Sequence, residues 1–221
     1  MSQFSYFLAV VLSFSMCSVK NAPTSNIEPV KKVNKTTQKG QTSSVFASGC
    51  FWCVEAVFES VEGVSEAVSG YAGGSAKDAN YSAIGSGKTG HAEAVEVFYD
   101  PKVVSYETLL KVFFGSQDPT TLNQQGPDRG TQYRSTIFYK NEAEKLASEK
   151  YIAELTKNKV FDGAITTTLE ALVKFYDAED YHQDYEARNP NQPYVKGVSV
   201  PRLNRFKSKF PELLKKGKGL H

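Results

Sequence analysis

The chain has 221 residues, 40% hydrophobic and 12% aromatic, with a formal net charge of +2. That length supports one domain with its own core, and that composition excludes a disordered polymer. Three cysteines are too few for a disulfide scaffold, so stability must come from packing.

The charge is unevenly spread. Residues 44–200 carry 22 Asp/Glu against 14 Lys/Arg. Residues 202–221 carry seven Lys/Arg and the single acid Glu212, and residues 31–39 add four lysines. Nucleic-acid binding needs a basic face on the folded part, and the folded part is acidic. No nucleic-acid partner is expected, and residues 201–221 read as a basic, solubilising C-terminal tail.

Residues 4–17, FSYFLAVVLSFSMC, form an apolar run. A bilayer-spanning helix needs about 20 apolar residues, so this run is too short to cross. Its length fits the apolar core of a signal peptide, although residues 1–19 contain no Lys or Arg. The competing reading is a buried N-terminal strand or helix. We expect an export signal over residues 1–17. Cys17 ends the run and resembles the lipidated cysteine of bacterial lipoproteins, with Met16 where that pattern prefers a small residue. Export, to a periplasmic or membrane-anchored location, follows as an expectation. Residues 18–43 are polar and Lys-rich without periodicity, and read as a flexible linker.

The catalytic-size domain is expected over residues 44–200. Ser43–Ser48 reads as a short strand, and Gly49 turns the chain. Val54, Val57, Phe58 and Val61 then recur at helical spacing, which places Cys50 at a helix start. Val64–Tyr71 and His91–Tyr99 read as strands; in the second, Glu93, Glu96 and Tyr99 are set against Ala92 and Ala94. Ser105 caps a helix carrying Leu109, Leu110, Phe113 and Phe114, stopped by Gly115. Arg134–Lys140 is β-rich. Asn141 with Glu144 opens a helix running to about Asn158. Ile165–Leu172 reads as a strand, Glu179–Ala187 as a short helix, and the chain after Asn189 as irregular. This order predicts an α+β fold, a two-layer sandwich whose mixed sheet is built from split βαβ (ferredoxin-like) units. Two long loops, 72–90 and 116–133, are candidates for functional segments.

GCFWC, residues 49–53, holds two of the three cysteines and Trp52, the chain's one tryptophan. Packing, a disulfide, a metal site and a reactive thiol all compete for it. Zinc needs three or four ligands, and His91, His182 and His221 are not spaced to complete a set, so no metal and no cofactor are expected. Cys53 is open to a simple packing role. Cys50 is different: helix-start N–H groups and the helix dipole favour a thiolate and lower its pKa. Phe51 and Trp52 would make an apolar wall for a group next to the reacting atom.

GCFW opening a helix, then GYAGG (70–74), TGHAEAVEV (89–97) and DRGTQYRS (128–135), resemble the A-type peptide methionine sulfoxide reductases. The motifs keep the family order and span roughly residues 44–195. The resemblance implies an α+β sandwich and reduction of methionine S-sulfoxide. It implies Cys50 as nucleophile, becoming a sulfenic acid, and Glu93 as the acid. Tyr81 and Tyr133 would hydrogen-bond the sulfoxide oxygen. Phe51 and Trp52 would hold the sulfur methyl group, Asp128 the substrate backbone, and Tyr194 would line the pocket. The sequence departs from the family in two places. Position 53, often glycine there, is cysteine here, and no cysteine follows Val54. One reading makes Cys53 the resolving thiol of a Cys50–Cys53 disulfide reduced by a thioredoxin-like partner. The other has an external thiol reduce the sulfenic acid directly, with Cys53 as packing. A monomer is expected. Two rival functions remain at this point: a general thiol–disulfide oxidoreductase, and a non-catalytic peptide-binding lipoprotein.

Overall fold

The computed structural model describes Met1 and residues 40–217. The apolar run 4–17, Cys17 and residues 18–39 lie outside the described residues. In chain order the elements are β1 (Thr42–Ser48), α1 (Phe51–Glu59), β2 (Val64–Ala72), α2 (Tyr81–Ile84) and β3 (Ala92–Tyr99). Next come α3 (Tyr106–Gly115), β4 (Gln124–Gln125), β5 (Asp128–Arg129), β6 (Ser135–Tyr139) and α4 (Glu142–Lys157). The chain ends in β7 (Thr168–Ala171), β8 (Phe175–Asp177), α5 (Tyr185–Arg188) and α6 (Val200–Lys209).

Six strands form one mixed sheet in the order β7-β6-β1-β3-β2-β8. The order separates β1 from β2 by β3, and β3 from β6 by β1. These are the two split βαβ units expected, β1-α1-β2 and β3-α3-β6, interleaved. β6 and β7 pair in parallel, joined by α4, because parallel neighbours need a crossover. The other ladders are antiparallel.

The caps lie where the sequence puts them. Ser105 Oγ accepts from Thr108 N–H at 3.1 Å, and Asn141 Oδ1 accepts from Glu144 N–H at 3.0 Å. Each such cap satisfies an orphan helix-start donor and contributes about 1 kcal/mol. The main core fills the helix-bearing face. Phe46 of β1 stacks on Phe58 of α1 at 5.1 Å and meets Phe113 of α3 at 5.5 Å. All three rings are fully buried, and truncating one to alanine costs about 3–5 kcal/mol. A thinner cluster of Val45, Ala47, Ala72, Ala92, Ala94 and Phe138 covers the opposite face.

Strand parity corrects the reading of β3. Period two puts Glu93 on the face of Val95, Val97 and Tyr99, which is the helix-covered face. Glu96 points to the other face, where it pairs with Lys140 at 3.1 Å.

The chain beyond residue 178 departs most from expectation. The helix expected over 179–187 breaks into a 3-10 turn at Asp180–His182 and the short α5, with Asp184 between them at φ +52. The stretch after Asn189, expected to be irregular, forms a π-helical turn at Val195–Ser199 that runs into α6. Pro201 falls in the first turn of α6, where its missing N–H costs nothing. Arg202 and Phe206, one turn apart, are buried against the domain, and Leu214 bridges to Val61. Residues 201–214 are thus packed structure in place of a tail. The 116–133 loop also carries order, the β4-β5 ribbon and a 3-10 turn at Thr131–Tyr133.

Candidate active site

Gly49 joins β1 to α1 at φ +85, and a Cβ there would meet the Gln125 side chain at 2.5 Å. Only glycine fits this turn. Cys50 follows as the N-cap of α1, its carbonyl accepting from Cys53 N–H at 3.2 Å and Val54 N–H at 3.3 Å. Residue spacing therefore places both thiols on the first turn of α1.

The next amide, Phe51 N–H, is one of the helix-start orphans. It donates to Glu93 Oε2 at 3.1 Å. Glu93 is 3% exposed. Burial pushes its carboxyl up to about 8, against the lowering effect of the Phe51 amide, with Asp128 and Cys53 raising it further. Glu93 is therefore a neutral acid at pH 7 with one oxygen left to serve the site.

The thiol pair corrects one expectation. Burial holds Cys50 well above the ordinary thiol range, and its hydrogen bond to Cys53 and the nearby Glu93 act in the same direction. Cys53 is lowered to about 6, first by the hydrogen bond from Cys50, then by Arg202, Ser199 and Tyr194 against its own burial. Of the two thiols, Cys53 is the one pushed toward the thiolate.

Phe51 is the centre of an aromatic cluster and is fully buried. Its ring lies 6.4 Å from Tyr81, 5.9 Å from Tyr71 and 6.2 Å from Trp52. Trp52 stacks flat on Tyr185 at 3.7 Å and meets Tyr194 edge-on at 6.0 Å. Its indole N–H donates to His182 Nδ1 at 3.0 Å. That bond fixes the His182 tautomer with its proton on Nε2, and burial lowers the ring to about 4, so it stays neutral. Tyr194 OH donates to Asp128 Oδ2 at 2.5 Å and lies 3.8 Å from Cys53 Sγ. Burial raises Asp128 while Tyr194 and Arg202 lower it.

Tyr81 opens α2, with its N–H held by Glu179 Oε1 at 3.0 Å. Burial lifts its hydroxyl to about 12, and Glu93 and Cys50 are near enough to add to this. Tyr133, half-buried, is raised by burial and by Glu93, Cys50, Asp128 and Tyr81. Both phenols stay protonated donors. The GYAGG and TGH stretches are tied to each other through His91. It accepts from Gly74 N–H at 3.2 Å on Nδ1 and contacts Ser75 O at 2.9 Å through Nε2. A Cβ on Gly74 would strike the His91 ring at 2.3 Å, which explains that glycine.

Cys50, Phe51, Trp52, Cys53, Tyr81, Glu93, Asp128, Tyr133 and Tyr194 thus converge around the start of α1. His182, Tyr185 and Arg202 join them and were not singled out for this site from the sequence. His182 and Tyr185 lack a marking pattern; Arg202 falls in the run taken for a tail. Away from the site, oxygens of Glu55, Glu59 and Asp184 lie within 4.8 Å of one another. Glu55 is engaged by Ser69 Oγ and the Asp184 amide.

A nucleophilic thiol, a neutral carboxyl acid, two phenol donors and an apolar wall suit transfer of an oxygen from sulfur to sulfur. The family model for peptide methionine sulfoxide reductase matches residues 42–214. A reductase named MsrA 2 of Mesorhizobium japonicum is 50% identical over 175 residues, covering 79% of this chain and 90% of that one. Another of that name from Synechocystis is 46% identical over 191 residues, covering 85% and 89%. Among solved structures, reduced Mxr1 of Saccharomyces cerevisiae superposes with a TM-score of 0.66 at 34% identity, covering 72% of this chain and 92% of that chain. Methionine sulfoxide reductase A of Corynebacterium diphtheriae gives 0.62 at 34% identity, covering 70% and 78%. The chain belongs to the MsrA family of peptide methionine sulfoxide reductases.

Proposed function

We propose that this enzyme reduces methionine S-sulfoxide, in proteins, in peptides and free, to methionine. The observation that carries the reading is the neutral Glu93 carboxyl anchored on the amide next to Cys50. Phe51 and Trp52 hold the methyl group on sulfur. Cys50, as the thiolate, attacks the sulfoxide sulfur. Glu93 gives its proton to the oxygen, whose basicity rises as the S–S contact forms, and Tyr81 and Tyr133 donate hydrogen bonds to it. Methionine leaves, and Cys50 carries the oxygen as a sulfenic acid. Cys53 then attacks the Cys50 sulfur. The S–O bond breaks, water departs, and a Cys50–Cys53 disulfide remains. A thioredoxin-like dithiol restores both thiols. Asp128, held by Tyr194, orients the substrate backbone.

The place of action is outside the cytoplasm, supported by the 4–17 apolar run and the polar stretch behind it. There the enzyme repairs oxidised methionine in exported proteins, anchored through Cys17 when that residue is lipidated.

A single-turnover experiment tests the chemistry. The reduced full-length protein, without external thiol, is mixed with a peptide methionine S-sulfoxide. One methionine per chain and loss of both Cys50 and Cys53 thiols are expected. No methionine with all thiols intact would sink the reading.

A further inference from the structure

His182 closes the 3-10 turn at Asp180–His182, its backbone N–H donating to Glu179 O at 2.8 Å, and its side chain is fully buried. The ring lies 4.9 Å from Phe51 and 4.3 Å from Tyr81, centroid to centroid. Nδ1 accepts the Trp52 indole N–H at 3.0 Å. Nε2 is buried without a hydrogen-bond partner among the described residues, with Glu179 Oε2 at 3.9 Å. That oxygen accepts from Tyr71 OH at 2.8 Å, and Glu179 Oε1 accepts from Tyr81 N–H at 3.0 Å. A buried polar atom left unpaired is unfavourable. A phenylalanine would fill the same place without that penalty. What histidine adds over phenylalanine here is the acceptor for Trp52.

Trp52 needs such a partner. The last torsion of a tryptophan side chain is broad, so its ring swings unless something holds it. Tyr185 stacks flat on the indole at 3.7 Å, and Tyr194 meets it edge-on at 6.0 Å. A flat stack resists tilting but permits sliding and turning in the plane of the ring. A hydrogen bond is directional, and the bond to His182 opposes that in-plane motion. His182 is itself fixed by its turn and by the rings of Phe51 and Tyr81. One buried ring thus registers Trp52 against both Phe51 and Tyr81.

We propose that His182 is a positioning residue that sets alkyl-group specificity: by holding the Trp52 indole in register with Phe51, it makes the site choose a methyl over a longer alkyl group on the sulfoxide sulfur. The proposal rests on reading Phe51 and Trp52 as the surface that takes that methyl group. With the indole held, an ethyl group on sulfur must displace the ring or turn the sulfur away from Cys50. With the indole free to slide, the wall yields and the ethyl substrate is accepted. His182 touches no reacting atom in this scheme and acts through Trp52. One methylene in a fitted apolar site changes kcat/KM by about 10-fold or more, which is the effect assigned to this bond.

The test compares methionine S-sulfoxide with ethionine S-sulfoxide, which carries an ethyl group on sulfur, on the full-length enzyme with dithiothreitol as reductant. The parent is expected to favour the methyl substrate by about 10-fold or more in kcat/KM. His182→Phe keeps a ring and loses the acceptor, and its preference is expected to fall to within about threefold. His182→Asn, whose side-chain oxygen stands near the place of Nδ1, is expected to keep most of the preference. Trp52 is the one tryptophan, so a single indole N–H resonance reports on the bond. Its exchange with water is expected to quicken several-fold in His182→Phe and to stay near the parent in His182→Asn. An unchanged preference in His182→Phe overturns the proposal. So does an equal loss on both substrates, which a merely structural role predicts, or His182→Asn behaving like His182→Phe. Circular dichroism checks folding. Where the Phe variant does not fold, benzothienylalanine is incorporated at Trp52, replacing the indole N–H by sulfur while His182 stays; a parental preference there also overturns the idea. Trp52→Leu separates this proposal from the reading beneath it. Parental preference in Trp52→Leu removes the methyl wall altogether, whereas preference lost there but kept in His182→Phe removes the assignment to His182 alone.

Discussion

Two buried carboxyls belong to or abut helix α1, and their bonding differs in one respect. Glu93 lies beneath the first turn of the helix and Glu55 projects from its middle; each is 3% exposed. Burial raises both well above the ordinary carboxyl range. Glu55 has both oxygens occupied, one by Ser69 Oγ and one by the Asp184 amide. Gln183 closes the same region by bonding Ser69 N–H, Ser69 O and Ala178 O, each at 3.0 Å. Glu93 has one anchor, the Phe51 amide, and its other oxygen has no hydrogen-bond partner among the described residues. Burial makes an acid of either residue. An unspent oxygen at the start of α1, next to Cys50, makes one of them an acid that can act.

Substitutions separate the two. Glu93→Gln keeps the shape and the Phe51 bond but has no acidic proton. Sulfoxide reduction is expected to slow by about 10²–10⁴-fold, the usual worth of a positioned general acid. Stability at pH 7 is expected to change by less than about 1 kcal/mol. Single-turnover rates with urea melts alongside decide this, and a rate within threefold of the parent would remove Glu93 from the chemistry. Glu55→Ala is expected to do the reverse. It strands the Ser69 hydroxyl and the left-handed Asp184 amide, and costs about 2–4 kcal/mol in urea unfolding. Its folded fraction keeps the parental turnover to within a few-fold. A hundredfold loss there would mean that the two regions are one site.

The pH dependence sharpens the contrast, with a smaller effect. Turnover needs the thiol pair ionised and Glu93 protonated. Cys53 is lowered to about 6 and Glu93 raised to about 8, so the rate rises through the first value and falls through the second. These limbs belong to the coupled cluster. Above the second limb the rate drops about tenfold per pH unit. Glu93→Gln removes the alkaline limb, and an alkaline limb that survives it would need another acid. Stability follows the same shift. Folded Glu93 binds its proton more tightly than unfolded Glu93, so its contribution is complete below the ordinary carboxyl range. It is lost as pH rises through about 8.

Much of this architecture was legible in the sequence because it is periodic. The apolar spacing of Val54, Val57 and Phe58, the caps at Ser105 and Asn141, and the GCFW junction mark β1, α1, α3 and α4 directly. Glu93 was legible as chemistry only through the motif resemblance. Its burial follows from β3 being a central strand covered on both faces, and no local pattern encodes that. β8 is three residues long and exists because β2 offers it an edge. The segment after Asn189 folds because Arg202 and Phe206 find partners on β1, α1 and α3, contacts far away in the chain. Its glycine, proline and asparagine content reads locally as a loop. The same reason hid His182 and Tyr185, whose roles are defined by Trp52 more than a hundred residues earlier.

The mildest change tests how sealed the Glu55 region is. Ser69→Ala deletes one donor to Glu55 and leaves the Asp184 amide and the Gln183 bridge to the Ser69 backbone in place. Ser69 is fully buried on β2, so water does not replace the hydroxyl. Losing one hydrogen bond to a group kept near neutrality costs about 1–2 kcal/mol, seen as a lower urea midpoint with an unchanged slope. With a donor that lowered it gone, the Glu55 carboxyl rises further, and the neutral form tolerates the loss. Neither limb of the rate profile moves, because nothing in the bond connects to Cys50 or Glu93. A displaced alkaline limb in Ser69→Ala would show the two carboxyls titrating together through α1, and the division between a structural acid and a working one would fail.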